Sequence, residues 1–174
     1  MKSLALILLL LPGVSVASEV QALVKQVDVA ADMESAWAAW TTESGLESFF
    51  SREANIELRV GGQMDIHFFP GNPPGTRGAE GMVVLAVEPG SRIAFTWDAP
   101  PTWPEIRKQR TLVAVSLQPV DEKTTRVRLE QTGWGQSEDW TAVYEYFDGA
   151  WDTVLGRLQQ RFVSGPVDWD LLTQ

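Results

Sequence analysis

The chain has no cysteine, a single histidine and only 14 basic residues against 23 acidic ones over its 174 positions. Without cysteine there are no disulfides, thiolate zinc sites, iron–sulfur clusters or cysteine nucleophiles. One histidine excludes any site that needs two imidazoles. A net charge of -9 would be repelled by a phosphate backbone and by anionic lipid headgroups, so neither nucleic acid nor a membrane surface is expected as a partner of the mature protein. The sequence also lacks a Walker loop, a dinucleotide-binding fingerprint and a Gly-x-Ser-x-Gly elbow. The one Gly-rich stretch, from Gly71 to Gly78, joins two strands and opens no helix, so it does not read as a phosphate cradle. No internal repeat or low-complexity tract is found. No cofactor, metal or catalytic set is therefore expected.

What is present is apolar and strongly aromatic. Hydrophobic residues make up 44% of the chain, and eight of its residues are Trp. The length suits one domain with a core of its own. The N-terminus carries a separate signal: Met1-Lys2, then an apolar run from Leu4 to Leu11, Pro12-Gly13, and Ser15-Val16-Ala17. A basic start, a short apolar run and a small-x-small site are the three parts of a secretory signal peptide. The run is too short to span a bilayer, which takes about 20 apolar residues. The expectation is a signal peptide over residues 1–17, a domain over 18–166 and a tail over 167–174, with a periplasmic or secreted product.

Along the domain, residues 22–30 alternate as a first strand. Asp32 caps a helix through Ala36, Trp37 and Trp40, and Thr42 opens a second short helical segment ending at Phe49 and Phe50. Strand signals follow over 54–60, 63–69, 79–88, 92–97, 109–118 and 124–132, with Gly61-Gly62 as a hairpin signal and 98–108 as a loop. Ser137 caps a long helix in which Trp140, Tyr144, Phe147, Trp151, Leu155, Leu158 and Phe162 form one apolar stripe, ended by Gly165-Pro166. The order is a strand, two short helices, about six strands and a long helix. A stripe of that length must lie on the sheet.

That order, with particular residues, resembles the helix-grip fold of the START and birch-pollen-allergen superfamily, and within it the branch of homologues of the activator of the heat-shock-protein-90 ATPase. The residues are Trp37, the segment Gly45 to Phe50, Gly61-Gly62, Gly81, Pro89-x-x-Arg92-Ile93-x-Phe95-Thr96-Trp97, Thr125-Arg126-Val127, Gln131-Thr132-Gly133-Trp134, and Gly149-x-Trp151 with Leu155 and Leu158. The resemblance implies an α+β domain: a curved antiparallel sheet wrapped on the C-terminal helix, with a cavity between them for a small hydrophobic or aromatic molecule.

Trp37, Phe50, Met64, Ile66, Phe68, Phe95, Trp97, Gln131, Trp134, Trp151 and Leu155 are the candidate lining. Ordinary core has the same composition as a pocket wall, so both readings stand. Small residues at Ala36, Gly81 and Gly149 leave room for a ligand or allow close packing. Gln131 shares a strand face with Val127 and Leu129, so it is either a polar handle for the ligand or bonded to a neighbouring indole or backbone group. His67 alternates opposite Met64, Ile66 and Phe68 and is expected on the solvated face, where Asp65 is in reach. Asp148 and Asp152 lie one helical turn apart, as a carboxylate edge or as a solvated helix face. A binding module is the first expectation. A cyclase- or hydrolase-like enzyme using Gln131 and pocket water, and a protein-interaction domain, are the alternatives.

Overall fold

The structure is a computed structural model and describes residues 21–173; the expected signal peptide lies outside the described residues. Strand β1 (Leu23–Val29) leads to α1 (Met33–Thr41) and α2 (Glu43–Glu47). Asp32 caps α1 by accepting the Ser35 N–H at 2.7 Å, and Thr42 caps α2 by accepting the Gly45 N–H at 3.0 Å. Each cap satisfies a first-turn donor that has no partner within its helix. Then come β2 (Glu53–Ile56), β3 (Gln63–His67), β4 (Gly78–Glu88), β5 (Arg92–Trp97), the single turn α3 (Pro104–Arg107), β6 (Thr111–Asp121), β7 (Thr124–Thr132) and α4 (Glu138–Ser164). A short 3-10 turn, Leu171–Thr173, ends the described chain.

The seven strands form one antiparallel sheet in the order β1-β7-β6-β5-β4-β3-β2. Val113, Val115, Val127, Leu129, Ile93 and Phe95 are buried on one face. Alternate residues on the same strands are more exposed, as a half-buried strand requires. The buried face meets the apolar stripe of α4, where Val143, Phe147, Trp151, Val154, Leu155 and Leu158 are buried. α1 with Trp40, and the turn after α2 with Phe49 and Phe50, close one end.

β2 ends at Ile56, short of the expected 60. The chain turns at once there: Arg59 N–H donates to the Glu57 carbonyl, Gly62 N–H to the Arg59 carbonyl, and Gly61 takes φ 77°. A positive φ is cheap only for glycine. Gly81 sits inside β4, with φ 68°. There the β3–β4 register slips between Met64 and Ile66. The extra β4 residue is a bulge, fixed by Asp65 Oδ1 accepting the Gly81 N–H at 2.6 Å. Gly81 thus shapes the sheet instead of leaving room for a ligand.

The segment after Gly165 folds back over α2. Val167 N–H donates to the Ser48 carbonyl, and Trp169 Nε1 donates to the Glu47 carbonyl at 2.7 Å. The Arg157 guanidinium lies 5.2 Å from the Trp169 ring centroid, within cation–π range.

Candidate functional site

Between the sheet and α4 lies a cavity of about 320 Å³. Its position follows from three pieces of backbone. β5 carries Trp97 to its C-terminal end and continues into Asp98. The connection from β3 to β4 passes along one side. α4 lays Tyr146, Phe147, Ala150, Trp151 and Val154 across the top, residues that recur at helical spacing. Gly78, Ala79 and Ala150 line the cavity and fill little of it. A Cβ at Gly78 would lie 2.0 Å from the Ile66 carbonyl oxygen, so the close approach of the β3 and β4 backbones here requires glycine.

The inner wall is aromatic. Phe50 stacks on Trp97, with centroids 5.6 Å apart, and meets Trp151 at 5.8 Å and Phe68 at 6.0 Å. Trp97 and Trp151 are 5.4 Å apart. These separations lie in the range where ring pairs attract beyond their area. On the outer side, Trp103 reaches Tyr146 at 5.7 Å.

One wall is polar. Asp98 is 7% exposed and lines the cavity. Arg107 Nη2 lies 3.0 Å from its Oδ2. The same guanidinium donates to the Gly78 carbonyl at 2.6 Å and to the Ala99 carbonyl, which pins α3 to the cavity rim. Burial pushes the Asp98 carboxyl up to about 7; Arg107 and Arg110 oppose the rise and Glu80 adds to it. A carboxyl with that balance exists in both protonation states near neutrality.

Of the eleven expected lining residues, Phe50, Phe68, Trp97 and Trp151 face the cavity. Met64, Ile66, Phe95 and Leu155 are buried in the core outside its lining. Trp37 is half-buried against the core on α1. Trp134 lies under the first half of α4, 5.0 Å from the Tyr144 ring.

Gln131 is wholly buried and bonded through both its amide nitrogen and its amide oxygen. Its amide donates to Thr111 Oγ1 at 2.8 Å, its Oε1 accepts the Trp151 indole at 2.6 Å, and its carbonyl accepts the Trp134 indole at 3.0 Å. It is therefore bonded to its neighbours and offers the cavity no free handle.

His67 turns away from Met64 and Ile66 as the alternation requires, yet it is not solvated: its side chain is 16% exposed. Nε2 is buried without a partner among the described residues. Asp65 serves the Gly81 N–H and the Gln63 amide instead of His67. Asp148 and Asp152 grip Lys25 of β1 at 2.9 and 2.8 Å, so they tie α4 to the sheet edge. Burial works against the Lys25 charge, but the hydrogen bonds it donates to Asp152 and Asp148 and the attraction of the two carboxylates outweigh this and lift its pKa.

The polar wall was not singled out in the sequence. Asp98 and Arg107 lie in a segment read as a loop, and the four residues of α3 are too few to show a period. The one available signal was Pro104 at a first helical position, with Glu105 and Arg107 suited to the two ends of a turn. Among the described residues, no group of His, Asp and Glu is placed to hold a metal ion. No helix among them is long and apolar enough to cross a membrane.

The fold is shared with solved structures. A protein of Mesorhizobium loti superposes with a TM-score of 0.64 at 23% identity, over 80% of this chain and 95% of that one. The Aha1 protein of Colwellia psychrerythraea, solved as a dimer in solution, gives 0.63 at 19% identity over 83% and 98%. An Hsp90 activator from Plasmodium falciparum gives 0.64 at 18% over 84% and 97%. Among curated proteins no relative matches significantly. The family model for activator of Hsp90 ATPase homolog 1-like proteins matches residues 30–162, which is most of the chain from α1 to the end of α4. The helix-grip architecture and this match agree, and the chain belongs to the family of activator of Hsp90 ATPase homolog 1-like proteins.

Proposed function

We propose that this protein is an exported helix-grip domain that binds a small hydrophobic or aromatic molecule between the sheet and α4. The observation that carries the reading is the cavity of about 320 Å³, walled by Phe50, Phe68, Trp97, Phe147 and Trp151. Its volume falls at the small end of the range for ligand pockets, about 300–1,000 Å³. Export rests on the three-part pattern of residues 1–17. Burying about 300 Å² of apolar ligand surface at roughly 25 cal/mol/Å² is worth about 7 to 8 kcal/mol. Association entropy removes several of these, so affinities of about micromolar or weaker are expected.

Trp97 and Trp151 stand in the wall, so a bound aromatic compound should quench Trp fluorescence saturably. The cavity-filling variant Ala150→Trp should lose that response while keeping its secondary structure. If a broad panel of aromatic and lipid-like compounds gives no saturable signal with the wild type, the reading fails. An interaction role, of the kind named for the P. falciparum Hsp90 activator, then moves ahead.

A second reading is favoured by Asp98. A buried carboxyl that exchanges its proton near neutrality is suited to general acid or base work on a bound molecule. Turnover of a bound compound by the wild type, lost in Asp98→Asn with binding retained, would establish an enzyme.

A further inference from the structure

The ligand site proposed above has one polar wall, and its charges restrict what fits. The Asp98 carboxylate and the Arg107 guanidinium face the cavity together, 3.0 Å apart. Two backbone carbonyls, Gly78 and Ala99, hold the guanidinium in place, so it cannot swing out to follow a ligand. Arg110, the other cation close to Asp98, is occupied by the Gly81 carbonyl and the Thr96 hydroxyl. Glu80 is paired with Arg77 at 2.7 Å.

An anionic head entering this wall meets Asp98, and a cationic head meets Arg107; either brings a like charge into a poorly solvated place. A purely apolar molecule would cover the carboxyl without offering it a hydrogen bond, which is costly for a buried polar group. A hydroxyl avoids all three. It is uncharged, it donates to the ionised carboxylate, and it accepts from the protonated acid. It therefore suits Asp98 in both of the forms that its burial allows. The rest of the lining carries the uncharged polar side chains Asn72, Thr76 and Thr102 but is otherwise apolar and rich in aromatic rings, and about 320 Å³ is room for one or two rings.

We infer that the cavity selects an uncharged aromatic ligand carrying a hydroxyl group, with the hydroxyl against the Asp98–Arg107 pair and the ring body lying against the wall that Phe50, Phe68, Trp97 and Trp151 form together. Asp98 sets the specificity, and the aromatic wall supplies contact that any ring of that size would share. The inference rests on the cavity being a ligand site.

Four probes with one ring system separate the possibilities by titration calorimetry on the purified protein at neutral pH: 2-naphthol, naphthalene, 2-naphthoate and 2-naphthylmethylammonium. The expected result is 2-naphthol binding about tenfold or more tighter than naphthalene, with both charged probes weaker than 2-naphthol. Asp98→Leu should bring the affinities for 2-naphthol and naphthalene close to one another. If Asp98→Leu does not fold, Asp98→Asn, which keeps the shape and one acceptor, should narrow the gap. Ala150→Trp should abolish binding of all four, which locates the binding in this cavity.

Naphthalene equal to or tighter than 2-naphthol in the wild type would overturn the hydroxyl selection and leave the ligand site standing. 2-Naphthoate as the tightest probe would overturn it in favour of an anionic head on Arg107. An unchanged preference in the Asp98 variant would overturn the role of Asp98. No binding of any probe would overturn both the selection and the site.

Discussion

The Trp151 indole donates to Gln131 Oε1 at 2.6 Å, and both side chains are closed to solvent. This bond joins the middle of α4 to the C-terminal end of β7, the strand next to the sheet edge. It also fixes the ring that forms part of the cavity wall. Gln131 is not part of the cavity lining, and what it contributes there is the position of the Trp151 ring.

Removing either partner should destabilise the fold. Trp151→Phe leaves Gln131 Oε1 unpaired, at a cost of about 1–3 kcal/mol for a buried orphan acceptor. Trp151→Ala adds the loss of the ring and should cost about 3–5 kcal/mol. Gln131→Leu strands the Trp151 indole and should fall in the range of the Phe variant. Urea denaturation gives these values from the shift in midpoint. A neutral Gln131→Leu would mean that the bond contributes nothing to stability.

Asp98 should leave a mark on stability against pH. Its folded-state pKa of about 7 lies above its ordinary value of 3.8. Between these values the folded protein holds a proton that the unfolded chain has released, so stability falls as pH rises through that window. At about 1.4 kcal/mol for each pH interval of one, the decline totals roughly 4 kcal/mol. It is complete once pH passes 7. Asp28, beside Arg126, and Asp32 and Asp121, which accept backbone N–H groups from Ser35 and Lys123, have pKa values below their ordinary range. Their effect comes at the acid end, where stability is lost as pH falls. Melting curves from pH 4 to 8 should show a decline in the wild type that is much flatter in Asp98→Asn. Parallel slopes in the two proteins would contradict the assignment.

Lys25 should matter modestly and in a salt-dependent way. It is 16% exposed while its partners Asp148 and Asp152 are largely in solvent. Ion pairs with exposed partners contribute about 0.2–1 kcal/mol each. Lys25→Met should lower stability by about 1 kcal/mol in dilute buffer, with a smaller difference in about 1 M salt, where the Debye length is about 3 Å. A difference that does not change with salt would show that packing of the lysine stem is the larger part.

Export has a direct readout. Expressed in a cell that secretes through signal peptides, the protein should be recovered outside the cytoplasm with Ser18 as its first residue, since cleavage is expected after Ala17. N-terminal sequencing decides it; full-length chain in the cytoplasm would contradict export.

How far the sequence disclosed this molecule depends on which interactions repeat. The α4 stripe from Trp140 to Leu158 and the alternation of 124–132 are periodic, and the corresponding elements are Glu138–Ser164 and Thr124–Thr132. Phe50, Phe68, Trp97 and Trp151 could be named as wall residues because the resemblance set sheet against helix. Met64, Ile66 and Phe95 carry the same chemistry and the same alternation. Only the curvature and bulges of the sheet decide which apolar residues meet the hollow and which meet each other. Asp98 and Arg107 left no periodic trace, since they come together from the end of a strand and a single helical turn. His67 lies on the face that the alternation gives it, but its side chain is only 16% exposed, and a one-strand pattern does not report that.

The pairing of β1 with β7 has a consequence for how the chain reaches this structure. Asp28 and Arg126 are neighbours across that ladder, yet 98 residues separate them. β1 is made first among the strands and pairs with the strand made last, and α4 then packs on both the sheet and β1. Closing so long a loop precedes any gain from the contacts it brings, so folding should be slow for a chain of this length. During synthesis, residues 23–29 have no strand to pair with until residues 124–132 have emerged. A nascent chain stopped before residue 124 lacks the partner of its first strand and the helix that covers the sheet, so the cavity can exist only once nearly the whole chain has been made.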